Sequence, residues 1–118
     1  MESRTGSDIV LPWPPSVNHY WGKSGKNIYL PKEVEDYRKE VWARCHGHAR
    51  FPQGDIAIEI EAWPPDRRRR DLDNILKALL DALQHAKVYT DDYQIADLRI
   101  YRVNVPQNKV IVRIKNEA

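Results

Sequence analysis

The chain lacks the features that mark several large classes of protein. A single cysteine, Cys45, excludes an intrachain disulfide. No apolar run approaches the ~20 residues of a membrane span, and none follows a basic start as in a signal peptide. The net charge of +2 over 118 residues is weak for a dedicated nucleic-acid binder. We therefore expect a cytoplasmic protein with no membrane partner, folded as a single domain over residues 1–118.

The weak total charge hides a strong local pattern at residues 65–74, where four consecutive cations run into two acids spaced two apart. The residues are Arg67, Arg68, Arg69, Arg70, Asp71 and Asp73. Arginine forks bind phosphate oxygens bidentately, and paired acids suit a divalent cation. One segment thus offers both halves of a phosphodiester site, and the first hypothesis is a metal-dependent nuclease.

The residues after these acids predict an amphipathic helix that ends near Ala86. Its apolar stripe has the i, i+3, i+4, i+7 spacing and consists of Leu72, Ile75, Leu76, Leu79, Leu80 and Leu83. We place Asp71 at the N-cap, where its carboxylate can turn towards that of Asp73. Asp73 and Lys77 lie one turn apart on the opposite face. An alternative stays open, in which both acids only cap the helix and the arginines form a solvated loop.

A second acidic site follows the helix at Asp91 and Asp92, just before a predicted strand. It supplies a third carboxylate, and the sequence does not distinguish which of the two would be used. A helix of about 15 residues is some 22 Å long. The third acid therefore reaches the first two only if the chain folds back.

Two further segments contain residue types that bind ligands. In the loop from Ser16 to Asn27, aromatic residues precede Lys23 and Lys26, a mixture that suits either base stacking and phosphate contacts or a surface loop capping the core. The cluster at residues 45–48 has cysteine and histidine too closely spaced for common zinc motifs, and no second ligand pair exists. A helix end at Gly47 is the better interpretation there.

Hydrophobic periodicity predicts an α+β domain with a four-stranded mixed sheet and two helices in the order β-α-β-α-β-β. The strands are expected at residues 8–13, with Ile9 and Leu11 inward on a sheet edge, and at 55–62, 97–105 and 109–115. The last two are expected to form an antiparallel hairpin. The first helix, at residues 31–49, has an apolar stripe of Val34, Tyr37, Val41 and Cys45, with Trp42 interpreted as core.

The chain resembles the RusA family of Holliday junction resolvases over nearly its whole length. The resemblance rests on residues 65–74, Lys77, residues 81–83, the Asp91 and Asp92 pair and the N-terminal segment 11–16 with Asn18 and Tyr20. It implies that Asp71, Asp73 and Asp92 form the catalytic metal-binding set and that Lys77 is also needed for cleavage. It implies as well that the substrate is branched DNA.

We therefore expect a Mg²⁺-dependent endodeoxyribonuclease, with Mn²⁺ as a plausible substitute, that resolves four-way junctions. Lys23, Lys26 and the four arginines at 67–70 would bind the DNA backbone. A junction has approximate two-fold symmetry and needs two cuts, so one acid set per chain favours a homodimer. The alternatives are a non-catalytic nucleic-acid-binding protein that uses the arginine run and, more remotely, an adaptor for a protein partner.

Overall fold

The computed structural model describes residues 8–16, 22–24, 27–29 and 31–117. Its four-stranded sheet contains β1 (Ile9–Pro12), β4 (Ile56–Trp63), β5 (Ile95–Arg102) and β6 (Lys109–Asn116) in the spatial order β1-β6-β4-β5. Two helices, α1 (Lys32–Arg44) and α2 (Leu76–His85), complete the domain, and a short hairpin of β2 (Gly22–Ser24) and β3 (Asn27–Tyr29) precedes α1. The predicted fold class and element order are confirmed, with this hairpin as an addition in and just after the expected loop.

The core lies between the sheet and the two helices. Every second residue of β4, from Ile56 to Ala62, is at most 1% exposed, whereas the residues between them are half-buried. The predicted stripe of α1 is buried in full, and Ile9 and Leu11 of β1 point inward from the sheet edge as expected. Strict alternation on β1, β4 and β6 and the 3.6-residue repeat on the helices therefore put one apolar face of each of these elements into a common interior.

The segment β4-α2-β5 is a crossover unit, because β5 pairs with β4 in parallel while β6 pairs with β4 antiparallel. A 3₁₀ turn, Leu72–Ile75, leads into α2, and Ile75, Leu79 and Leu83 are buried below it. Past α2, the amides of Lys87 and Val88 donate to the carbonyls of Gln84 and Leu83 at 3.0 and 3.1 Å. Lys87 has φ 66°, so this cap reverses the chain at the end of the helix.

The expected hairpin between the last two strands is wrong. β6 lies between β1 and β4, while β5 forms the opposite edge of the sheet. The link at residues 103–108 crosses the end of β4, where Val103 N donates to Ala62 O at 2.8 Å and Asn108 N donates to Pro64 O at 3.0 Å. Six residues are enough to step over one strand, a span of about 10 Å. The inward side chains of β6 are all at most 3% exposed, and a position between β1 and β4 gives them a neighbouring strand on each side.

Trp42 also differs from its predicted place in the core. Half of its surface is exposed, and its ring meets His46 edge-on at 4.7 Å between centroids. It lies one position beyond the buried stripe of α1, which is filled by smaller side chains. Among the residues that the structure describes, no helix has both the length and the apolar character needed to cross a bilayer.

Candidate functional site

The two acids of the arginine motif lie where β4 passes into α2. Asp71 has an extended backbone, φ −88° and ψ 132°, and occupies the predicted N-cap position before the 3₁₀ turn. Its carboxylate makes no capping hydrogen bond, although the cap position would allow one. Asp71, Asp73 and Lys77 are all exposed, whereas Ile75, Ala78 and Leu79 on the other side of the turn and helix are buried. The motif therefore presents its acids and its lysine on the solvent side of the helix start.

The second acidic segment is held by one buried polar side chain, Gln94, which is 8% exposed. Its amide oxygen accepts from the backbone amides of Thr90 and Asp91 at 2.8 and 3.0 Å. Its amide nitrogen donates to the carbonyls of Phe51 and Gly54 at 2.9 and 3.0 Å. We name residues 90–94 the acid loop. Gln94 thus ties this loop to the segment that joins α1 to β4.

Asp91 and Asp92 have different environments in the acid loop. The Asp91 carboxylate caps the following 3₁₀ turn by accepting from Tyr93 N at 2.9 Å. The Asp92 residue is exposed, and its Oδ1 accepts from the Tyr89 hydroxyl at 3.0 Å. Because Asp91 is engaged in a local cap, Asp92 is the better candidate for an external ligand.

Tyr89 also fixes where the Asp92 carboxylate lies relative to α2. The same hydroxyl is 2.7 Å from the carbonyl oxygen of Leu80, in the middle of that helix. The chain therefore does fold back from the helix end, and it places Asp92 beside Leu80, about two helical turns after Asp73. Burial, followed by the nearby Asp92 charge, raises the pKa of the Tyr89 phenol far above its usual range. The phenol accordingly remains a neutral donor.

The arginine run is organised by Asp66, which the motif places just ahead of it. The Asp66 carboxylate accepts from Arg68 N at 2.8 Å and from both terminal nitrogens of Arg70 at 2.5 and 3.0 Å. The Arg70 hydrogen bond, followed by the Arg68 amide, lowers the pKa of Asp66 well below its usual range. Arg70 is thus committed to bracing the loop, whereas Arg67, Arg68 and Arg69 are exposed.

A groove runs beside these arginines and extends the basic surface beyond the sequence motif. It is bounded on one side by Arg67, Arg68 and Arg69 and on the other by Arg102, Asn104 and the link after β5. The Arg102 Nε donates to the Asn104 side chain at 2.9 Å, which holds the exposed guanidinium at the end of β5. Guanidinium groups on both walls suit a phosphate backbone lying in the groove.

The donor chemistry of the site fits a hard divalent cation, since Asp71, Asp73 and Asp92 supply only carboxylate oxygens. Within residues 8–16, 22–24, 27–29 and 31–117, however, no three Asp, Glu, His or Cys side chains are gathered closely enough to hold a metal. The three-aspartate ligand set and the role of Lys77 therefore stay predictions. Zinc binding at residues 45–48 receives no support either, because Cys45 is 1% exposed in the core.

The predicted loop ligands lie largely outside the described residues. Lys26, Asn18 and Tyr20 are among the residues that the structure does not describe, and for Lys23 only the backbone of β2 is described. Their proposed contacts with DNA stay predictions.

The comparisons with known proteins decide the family. The family model described as "Endodeoxyribonuclease RusA" matches residues 12–115. The chain belongs to the RusA family. The crossover junction endodeoxyribonuclease rusA of Enterobacteria phage HK97 is 44% identical over 109 residues, covering 90% of this chain and 91% of the relative. The RusA of Escherichia coli strain K12 is 42% identical over 100 residues, or 82% of each chain. The rusA of Enterobacteria phage 82 is 41% identical over 100 residues, again 82% of each chain.

The RusA resemblance found in the motifs is thereby confirmed. Four residues around the site were not identified from the sequence, namely Asp66, Tyr89, Gln94 and Arg102. Asp66 carried a local signal, because an aspartate in a loop commonly accepts a hydrogen bond from the backbone amide two residues later, which forms an Asx turn. The roles of the other three depend on tertiary structure: the burial of the Tyr89 ring, the bonds of Gln94 to carbonyls some 40 residues earlier, and the groove that Arg102 shares with the arginine run. No local pattern in the sequence marks these positions.

Proposed function

We propose that this RusA-family chain is a magnesium-dependent endodeoxyribonuclease that resolves four-way DNA junctions. Family membership supports the nuclease and junction-resolving activities, since the matching relatives are named crossover junction endodeoxyribonucleases. The observation in the molecule that best supports the chemistry is the exposed pair Asp71 and Asp73 directly after the arginine loop. Asp71 keeps its carboxylate out of any capping hydrogen bond, so the carboxylate remains available to a ligand. A DNA substrate also agrees with the expected cytoplasmic location.

Asp71, Asp73 and Asp92 would hold the metal. When bound, Mg²⁺ would supply Lewis acidity that neutralises phosphate charge and lowers the pKa of the attacking water, and Mn²⁺ would substitute for it. Lys77, exposed one turn after Asp73, would stabilise the negative charge that develops on the phosphate oxygens. Capping at Asp91 supports the assignment of Asp92 rather than its neighbour as the third ligand.

The basic residues would position the DNA backbone. Arg67, Arg68 and Arg69 are exposed on one wall of the groove and Arg102 on the other. Arg70, with its bidentate partner Asp66, would act by bracing the loop that carries them. Lys23 and Lys26 would contribute further phosphate contacts, as the sequence predicts.

The test is cleavage of a synthetic four-way junction and of a linear duplex of matched length, each with and without Mg²⁺. We expect Mg²⁺-dependent cuts in the junction and little cleavage of the duplex. Asp73→Asn should abolish cleavage and leave junction binding intact or tighter, because it removes one negative charge from the ligand set, relieves repulsion from the DNA phosphates and keeps the side-chain shape. Glu35→Gln, the same change on the exposed face of α1, is the control. Cleavage by Asp73→Asn within a few-fold of wild type would contradict the assignment.

We infer further that the active form is a homodimer. A four-way junction needs two symmetric cuts, and each chain carries one set of Asp71, Asp73 and Asp92. A two-fold pair supplies the second site and is the commonest form of soluble oligomer. Sedimentation would give the mass, and a supercoiled cruciform plasmid would give the order of cuts. A dimer yields linear plasmid directly, whereas a monomer of half the mass would accumulate nicked circles first.

The rival hypothesis, a non-catalytic DNA-binding protein, uses the same arginines but predicts no cleavage under any metal condition. The cleavage experiment above separates the two.

A further inference from the structure

Tyr89 occupies an unusual position for a core tyrosine, because its ring is fully buried and its hydroxyl reaches an exposed acid. The side chain is 0% exposed and packs in the hydrophobic core with Phe51 and Leu83. Its hydroxyl lies 2.7 Å from Leu80 O and 3.0 Å from Asp92 Oδ1. The ring cannot move without disturbing the core, so the position of the hydroxyl is set by packing.

The hydroxyl has one proton and two acceptors, the helix carbonyl and the carboxylate. It thereby joins α2, which carries Lys77 and directly follows the 3₁₀ turn of Asp73, to the acid loop, which carries Asp92. The loop itself is fixed from the other side by the four hydrogen bonds of Gln94. Among the residues that the structure describes, Asp92 is the proposed ligand whose carboxylate accepts a side-chain hydrogen bond, that of the Tyr89 hydroxyl.

We propose that Tyr89 is a positioning residue, which orients the Asp92 carboxylate for the metal through its buried hydroxyl. The inference rests on the proposed metal-dependent function. Groups that hydrogen-bond a metal-ligating side chain restrict its orientation, and their loss typically costs 10–100-fold in metal affinity or activity, on the order of what we expect here. Tyr89 would contact neither DNA nor metal itself.

Tyr89→Phe is the direct test, since it removes only the hydroxyl and keeps the ring in the core. Tyr37→Phe is a matched control, because Tyr37 is 6% exposed and its hydroxyl donates to a backbone carbonyl, that of Pro12, at 2.8 Å. Both variants should fold, with melting temperatures lowered alike by a few degrees. Mn²⁺ binding by the protein without DNA, measured from the loss of the free-ion EPR signal, provides a readout independent of cleavage.

We expect Tyr89→Phe to weaken Mn²⁺ binding about tenfold. It should raise the Mg²⁺ concentration for half-maximal junction cleavage by a similar factor, and excess Mg²⁺ should restore much of the rate. Tyr37→Phe should match wild type in both measurements. Equal metal behaviour of Tyr89→Phe and wild type, or equal losses in both tyrosine variants, would overturn the proposal.

Asp92→Asn separates this inference from the proposed function. If Asp92→Asn binds Mn²⁺ and cleaves like wild type, the ligand assignment itself fails, and the role of Tyr89 fails with it. If Asp92→Asn is defective, the double variant with Tyr89→Phe should bind Mn²⁺ no more weakly than Asp92→Asn alone, because Tyr89 acts through that acid. A further additive loss would show that Tyr89 acts by another route.

A measurement on the wild-type protein keeps the inference testable even if Tyr89→Phe does not fold. In protein labelled with ¹³C-tyrosine, Mg²⁺ should shift the ring signals of Tyr89 and leave those of Tyr37 in place. Unshifted Tyr89 signals at saturating Mg²⁺ would contradict the proposal.

Discussion

Replacing Gln94 by methionine should cost more stability than most single substitutions outside the apolar core. Methionine has nearly the same length and keeps the site filled, but it removes all four hydrogen bonds to Phe51 O, Gly54 O and the amides of Thr90 and Asp91. A typical hydrogen bond contributes about 0.5–1.5 kcal/mol net, so four give roughly 2–6 kcal/mol. Thr90 and Asp91 are exposed and can recruit water, which reduces their share. We expect a loss of about 3 kcal/mol.

Urea unfolding followed by circular dichroism measures this loss. With a slope of about 1.5 kcal/mol per molar urea, the midpoint should fall by about 2 M. Gln107→Met is the matched control, because Gln107 is exposed in the link between β5 and β6. An exposed substitution of this kind should change stability by less than about 0.5 kcal/mol. Equal midpoints for Gln94→Met and Gln107→Met would refute the view that Gln94 holds the acid loop to the rest of the domain.

Three further predictions concern the basic groove and the core thiol. Replacing Arg68 and Arg69 by alanine should weaken binding to junction and duplex alike and flatten the salt dependence by roughly 0.9 per lost phosphate contact, whereas unchanged binding across a salt series would leave them as a solvated loop. Arg102→Ala should lower the same slope by roughly one such contact, and Arg99→Ala, on the same strand but paired with Asp97, should not. Burial raises the pKa of the Cys45 thiol from 9.0 to about 11. The buried neutral thiol therefore contributes its full stability below the unfolded-state pKa, and this contribution is lost as pH rises towards the folded-state pKa. Urea unfolding at several pH values should show less destabilisation of Cys45→Ala than of wild type between these two pKa values.

Much of the local structure followed from residue order alone. The repeat of apolar residues identified both helices, their apolar stripes and the inward faces of β1, β4 and β6, because side-chain direction within an element depends only on its own backbone geometry. The N-cap position of Asp71 was predictable for the same reason, as was the exposed face with Asp73 and Lys77. The unusual pattern at residues 65–74, together with Lys77, the Asp91 and Asp92 pair and the N-terminal segment, indicated the family.

Strand order depended on tertiary structure. A short link normally joins neighbouring antiparallel strands, which is why β5 and β6 were expected to pair. The parallel β4-α2-β5 crossover instead puts β5 at the edge, and β6 gains two partners for its apolar face. Strand order depends on how much apolar surface each arrangement of whole strands buries. The local sequence around residues 103–108 does not indicate that order.

The division of roles around the acids likewise depended on how the acid loop is packed against the core. Asp91 and Asp92 are adjacent and chemically identical in the sequence, yet one caps a turn and the other meets the buried hydroxyl of Tyr89. Gln94 bonds to carbonyls some 40 residues earlier in the chain. Sequence determines which groups can donate and accept, whereas the packing of the core determines which of them come within hydrogen-bonding distance.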